Sequence, residues 1–135
     1  MDGLTGGMKA SVSAMKAERL RLQTAAKNLA FSRTTRTPDG GPYRRQEMIF
    51  ESVLDAQGNA IGVEASVEDD DSPFPVTHDP SHPDADADGN VKWPNVEMQH
   101  EVVDMTVARR GYEANAAAFE ALISSLSRAI DLGRS

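Results

Sequence analysis

Apolar residues recur at alternating spacings of four and three near both ends of the chain, whereas the middle lacks this rhythm. The N-terminal repeat comprises Met8, Val12, Met15, Arg19, Leu22, Ala26 and Leu29. The C-terminal repeat comprises Met98, Val102, Met105, Arg109, Tyr112, Ala116, Phe119, Ile123, Leu126 and Ile130. This spacing keeps one stripe of a helix facing a partner helix, as in a coiled coil. The pattern therefore predicts a mainly α fold in which two long terminal helices form a coiled-coil-like pair.

The middle of the chain predicts a small β region. Two prolines and two glycines within residues 37–42 interrupt any helix. Residues 43–53 and 61–68 are typical of two strands joined by a turn, and the Asp- and Pro-rich stretch 69–90 predicts an irregular segment. We therefore expect an N-terminal helix at 1–32, a middle at 33–94 with a turn, a β-hairpin and a loop, and a C-terminal helix at 95–135. The two helices are expected to form one structural unit.

The helical stripes predict contacts beyond a single chain. Two helices and a small sheet cover little apolar surface, so surplus stripe implies neighbours; the alternative is a two-helix core within a monomer. The residues predicted to form the assembly face are Met15, Leu22, Leu29, Val102, Met105, Tyr112, Phe119 and Leu126. Arg19 and Arg109 interrupt the stripes, either as register devices or as side chains that extend to solvent at the edge.

Charge is distributed unevenly along the chain. The net charge of −7 combines a basic N-terminal part at 1–50 (+5), an acidic middle at 51–104 (−13) and a nearly neutral end at 105–135 (+1). The acidic middle opposes binding to nucleic acid; it either solvates the protein or docks electrostatically on another subunit. No apolar run reaches the ~20 residues of a membrane span. No cleaved signal peptide is evident, so the sequence alone indicates the cytoplasm unless a dedicated export machine acts.

Candidate chemistry is weak. Residues 84–89 match the opening of a calcium loop, but Asn95 stands where a bidentate Glu is required. His78 and His82 lie near aspartates without a further predicted ligand. No nucleophile motif or phosphate-binding loop is present, and there is no cysteine. The sequence therefore predicts no catalytic site, no metal and no cofactor.

Two stretches resemble motifs of the flagellar rod and hook proteins. The first comprises residues 26–30 and continues through 38–45, and the second comprises 94–97, 101–105 and 108–115. The residues that carry the family motif are Asn28, Leu29, Tyr43, Arg44, Asn95, Arg109, Tyr112, Glu113 and Asn115. Phe31 and Gly111 depart from the Asn and Ser that are usual in the family.

The resemblance implies a structural subunit that stacks helically into the flagellar rod through its terminal helices and transmits torque across the periplasm. The implied partners are copies of itself, other rod proteins, the basal-body ring and export gate, and the flagellar type III export apparatus. Neither nucleic acid nor membrane insertion is implied. The implied location is the rod in the periplasm, reached without a cleaved signal peptide.

The alternative is a soluble helical-hairpin adaptor whose acidic loop binds a basic partner or a divalent metal. In a rod subunit, replacing Leu22 or Phe119 by Asp is expected to abolish assembly, and neutralising Asp84, Asp86 and Asp88 is expected to be tolerated. An adaptor is expected to show the reverse.

Overall fold

Along the sequence, one long helix precedes four strands and a second long helix follows them. The computed structural model describes residues 2–135, with side chains from Gly3 onward, and residue 1 of the predicted N-terminal unit lies outside that range. The elements are α1 (Asp2–Ala30), β1 (Gln46–Leu54), β2 (Ala60–Asp69), β3 (Val76–His78), β4 (Asn90–Lys92) and α2 (Met98–Arg134). The predicted mainly α fold with a small β middle is confirmed.

The helices α1 and α2 pack antiparallel. Asn28 near the end of α1 contacts Glu101 near the start of α2, and at the other end a Cβ on Gly7 would lie 3.2 Å from Leu122. By this register, roughly the last two turns of α2 extend beyond the start of α1. Four α1 residues that contact α2 are small or polar and lie on one helical face: Gly7, Glu18, Arg21 and Asn28.

The packed stripe of α2 is shifted by one position from the stripe read in the sequence. Glu101 and Ala108 are completely buried, whereas their neighbours Val102 and Arg109 are exposed. A small residue at 108 allows the helix backbones to approach closely, which favours this face over the bulkier one. The apolar stripe of α2 is therefore only partly used within the chain.

The two arginines that interrupt the stripes both lie outside the packed seam. Arg19 is exposed, and the Arg109 side chain is 67% exposed with its Nε 4.0 Å from Oε1 of Glu113. Neither arginine sets the register of this intramolecular pair.

The β1–β2 hairpin lies along α1. Its strands are antiparallel, from Gln46 opposite Asp69 to Leu54 opposite Ala60. The backbone NH of Val63 donates to Oγ of Ser13 at 3.1 Å. A Cβ on the neighbouring Gly62 would lie 2.8 Å from the same oxygen, so glycine permits this approach.

The stretch 69–90, predicted to be irregular, contains part of a second small sheet. β3 pairs antiparallel with β4. Val91 in β4 is completely buried, and the indole NH of Trp93 donates to Oγ1 of Thr77 at 2.7 Å. Three-residue strands are too short to show alternation, so sequence pattern could not reveal them.

Candidate assembly interface and polar junction

Asn28 connects three elements through four hydrogen bonds. Its Oδ1 accepts from the hydroxyl of Tyr43 at 2.8 Å and from the backbone NH of Gln46 at 3.0 Å. Its Nδ2 donates to the carbonyl of Gln46 at 2.8 Å and to Oε2 of Glu101 at 3.2 Å. Asn28 is 1% exposed, and these bonds use both acceptor sites and both donors of the amide. The side chain thus ties α1 to β1 and α2.

A buried ion pair stands beside Asn28. Nε of Arg45 lies 2.5 Å from Oε1 of the fully buried Glu101, and Arg45 also reaches Asp70 at 3.2 Å and Asp104 at 3.6 Å. Burial alone would lower the pKa of Arg45, but hydrogen bonds and charge from Glu101 and Asp70 outweigh it and raise that pKa. The guanidinium is therefore held charged among carboxylates.

Asn95 closes the cluster from the segment before α2. Its Oδ1 accepts from the backbone NH of Arg45 at 2.7 Å, and its Nδ2 donates to the carbonyls of Asp70 and Ser72 at 2.9 and 3.1 Å. Arg44 donates to the same two carbonyls. Hydrogen bonds from Ser72, followed by those from Arg45, lower the pKa of the Asp70 carboxyl.

We call this cluster the polar junction. It consists of Asn28, Tyr43, Arg44, Arg45, Asp70, Asn95 and Glu101. Four of these are residues of the predicted family motif, which the fold brings together from positions far apart in sequence. The sequence analysis gave no separate role to Arg45 or Glu101. Glu101 lies seven residues before Ala108 and therefore on the same helical face, which was the available signal that this carboxylate is buried.

The remaining motif residues lie elsewhere. Arg109, Tyr112 and Glu113 are exposed on α2, and Asn115 donates to the carbonyl of Gly111 at 2.8 Å within the helix. Leu29 is half-buried on α1. A role for these residues stays a prediction.

Gly111 admits a carboxylate from α1. A Cβ at this position would lie 2.8 Å from the Cδ of Glu18. Oε2 of Glu18 is buried and has no hydrogen-bond partner among the side chains and backbone that the structure describes. The departure from Ser at this position thus leaves room for Glu18 in the helix seam.

Two of the eight residues of the predicted assembly face are exposed, and six are half-buried. Val102 and Tyr112 are 50% and 42% exposed. The other six predicted residues, Met15, Leu22, Leu29, Met105, Phe119 and Leu126, are half-buried. Further apolar residues on α2, including Ile123 at 44% and Ile130 at 49%, are also exposed. The exposed side chains on α2 therefore form an apolar surface that the described residues leave largely uncovered, whereas the half-buried ones are partly covered.

An apolar groove lies between the start of α1 and the end of α2. Its volume is 560 Å³, and it is lined by Thr5, Met8, Lys9, Val12, Ser13, Lys16, Phe119 and Leu126. We call it the helix groove. It combines residues from both predicted stripes at the end of the helix pair opposite the polar junction.

In the acidic loop, residues 84–89, two carboxylates bind groups of the same chain. Asp84 accepts from Oγ1 of Thr35 at 2.5 Å and pairs with Arg36 at 2.9 Å. Asp86 accepts from the backbone NH groups of Asp88 and Asn90, both at 2.9 Å. Among the side chains of residues 3–135, no group of three or more His, Cys, Asp or Glu is placed to hold a metal ion. Asp84 and Asp86 therefore have a structural function, so their neutralisation is no longer a clean test of the adaptor hypothesis.

Paired terminal helices with uncovered apolar side chains define an assembly-forming structural protein. The chain is 40% identical to the flagellar basal-body rod protein FlgC of Borreliella burgdorferi over an alignment that covers 84% of this chain and 86% of that protein. It is 38% identical to FlgC of Bacillus subtilis over an alignment that covers 94% of this chain and 96% of that protein. It is also 38% identical to FlgC of Salmonella typhimurium over 124 residues, with 90% and 92% covered. No family model matches the chain.

The chain therefore belongs to the FlgC family of flagellar basal-body rod proteins, and the resemblance seen in its motifs is confirmed. Neither helix in the described part of the chain has an apolar stretch able to cross a membrane.

Proposed function

We propose that this chain is a structural subunit of the flagellar basal-body rod, polymerising through its terminal helices and transmitting torque across the periplasm. The observation that carries the proposal is the apolar surface of α2, from Val102 at 50% exposed to Ile130 at 49% exposed. Full burial of such a side chain contributes about 1.5–3 kcal/mol. Covering this surface in an array thus stabilises contacts that resist torsion.

The proposed partners follow from family membership. They are copies of this chain, other rod proteins, and the basal-body ring and export gate. The proposed route to the periplasm is the flagellar type III export apparatus. The role is structural, without catalysis, cofactor, nucleic acid or insertion into the membrane.

An in-frame deletion in the source bacterium tests the role directly. We expect non-motile cells whose basal bodies, imaged by electron microscopy, have an inner-membrane ring but lack rod and hook. The gene supplied in trans should restore both structures. Motile cells with intact basal bodies would contradict the proposal.

Point substitutions test whether the apolar surface mediates assembly. Val102→Asp and Ile123→Asp place charge at positions 50% and 44% exposed, so the chain should keep its helical circular dichroism while motility is lost. Ser124→Asp is the matched control, since it adds the same charge to an exposed polar position beside Ile123. Wild-type motility with both apolar substitutions would place the interface elsewhere. Leu22→Asp and Phe119→Asp are less clean, because both side chains are half-buried within the chain.

Asp88 offers the clean test of the adaptor hypothesis. It is exposed, and its neighbour Asp86 supplies the carboxylate that holds the turn. Asp88→Asn should leave motility unchanged in a rod subunit, as measured by swarm diameter. A severe loss with normal folding would favour the adaptor.

A further inference from the structure

The helix groove is apolar inside and basic at its rim. Met8, Val12 and Phe119 contribute to its apolar lining, and Lys9 and Lys16 stand along one side. Both lysines are exposed. Among the side chains of residues 3–135, no carboxylate lines the groove and none pairs with either lysine. The two lysines are seven residues apart, about 10.5 Å along the helix. This surface fits an apolar segment that carries negative charge.

The distal half of the β1–β2 hairpin has the complementary character. Val53, Leu54 and Ile61 are 37%, 57% and 48% exposed. Residues 46–69 contain no Lys or Arg. Glu51 and Glu64, both exposed, lie directly opposite each other across the two strands. Like charges in this position destabilise a hairpin, and neither carboxylate is paired with a cation among residues 2–135.

The hairpin does not occupy the helix groove of its own chain. The bond from Val63 to Ser13, which lines the groove, holds β2 at the groove edge, and no hairpin residue in the described part of the chain lines the groove itself. Val53, Leu54 and Ile61 at the hairpin tip stay exposed. The exposed tip can therefore contact another copy.

We propose that the distal hairpin of one copy docks in the helix groove of a second copy. Val53 and its exposed apolar neighbours contact the lining, while Glu51 and Glu64 lie beside Lys9 and Lys16. The docking rests on the proposed role as a rod subunit and specifies one contact between copies. Because the two surfaces differ and each copy carries both, successive contacts extend an open array instead of closing a dimer.

Cysteine cross-linking between differently tagged copies tests the contact. The chain has no native cysteine. With Val53→Cys in one copy and Val12→Cys in the other, each chain has a single cysteine, so any disulfide joins two chains. The different tags identify the heterodimer by its mass. Both copies are expressed in the source bacterium and oxidised. We expect the linked heterodimer with this pair. Gln23→Cys replaces Val12→Cys in the control, because residue 23 is exposed on α1 outside the groove.

Charge reversal gives a second test. Lys9→Glu with Lys16→Glu, or Glu51→Lys with Glu64→Lys, should reduce the cross-linked fraction roughly tenfold, because like charges then face each other. When every copy carries all four reversals, opposite charges face each other again, so cross-linking should be restored. Lys92→Glu is the control, since Lys92 is an exposed cation away from the groove.

The outcomes separate the docking from the proposed function. Equal cross-linking of Val53→Cys with either helix position, or failure of the combined reversals to restore it, would overturn the docking. Rods that assemble without any Val53–Val12 cross-link would also overturn it while leaving the rod role intact. Rods that persist in the deletion strain would remove the rod role whatever the cross-linking shows.

Discussion

The two ends of the α1–α2 pair are held together in different ways. At the polar junction, Asn28 and Glu101 are 1% and 0% exposed and are joined by directional hydrogen bonds. At the helix groove, Phe119 and Leu126 are half-buried and the last turns of α2 are exposed. Hydrogen-bonded networks specify one geometry, whereas apolar contact is non-directional. The chain thus fixes one end of the pair and leaves the other open to neighbours.

Removing the carboxylate at the junction is expected to have the largest effect. Glu101→Ala leaves Arg45 and Asn28 without their shared partner in a buried site, so the free energy of unfolding should fall by about 3–5 kcal/mol. Urea unfolding followed by circular dichroism measures the change. Glu113→Ala is the control, because that carboxylate is 67% exposed, and should change stability by less than about 0.5 kcal/mol. Equal effects would mean that the junction does not dominate stability.

Alkaline pH is expected to lower the free energy of unfolding through Tyr43, which also belongs to the polar junction. Burial, then the charges of Glu101 and Asp69, raises the pKa of Tyr43 from 10.0 to about 12. Between these values the unfolded chain loses the proton while the folded chain keeps it, so stability should be complete below pH 10 and decline toward about pH 12.

Unfolding measured across this range, for the wild type and Tyr43→Phe, isolates the contribution of Tyr43. The variant also loses the hydroxyl donated to Asn28, which should lower its stability by about 1 kcal/mol at neutral pH. Its stability should then fall less steeply than that of the wild type above pH 10. Parallel curves would show that Tyr43 is not held neutral by the fold.

A truncation at the groove should change monomer stability least. Leu126→Ala removes a half-buried side chain, so we expect a loss of roughly 1 kcal/mol, below the about 2–5 of a fully buried leucine. Motility should suffer more than folding, because the same side chain lines the proposed docking groove. Leu132→Ala, at a residue 76% exposed, is the control for folding. A large loss of stability in Leu126→Ala would mean that the helix groove contributes to monomer stability as much as the polar junction does.

The helices and the first hairpin could be predicted because their patterns are long. α2 has 37 residues, enough for the four-and-three rhythm to repeat several times, and the strand pair flanks a clear turn. The exact packing stripe was harder to predict. Hydrophobicity favours Val102 over Glu101, yet the fold buries the glutamate, because Arg45 from a distant segment compensates its charge.

The polar junction shows what local pattern cannot contain. The family motif placed Asn28, Tyr43 and Asn95 among the significant residues, but it did not indicate that they meet. Their contacts join segments that the sequence separates by turns and strands, as when Asn95 accepts from the backbone of Arg45. Such contacts depend on the tertiary fold and not on periodicity.

The hydrogen bonds of Asn28 also imply an order of folding. Its bonds to Tyr43 and Gln46 close loops of 15 and 18 residues, whereas its bond to Glu101 spans 73. Short loops close at lower entropic cost and therefore earlier. The N-terminal helix and the start of the hairpin can form a template as soon as residue 46 is available. We therefore expect the C-terminal helix to join last, when the contacts of Asn28 with Tyr43 and Gln46 have already formed.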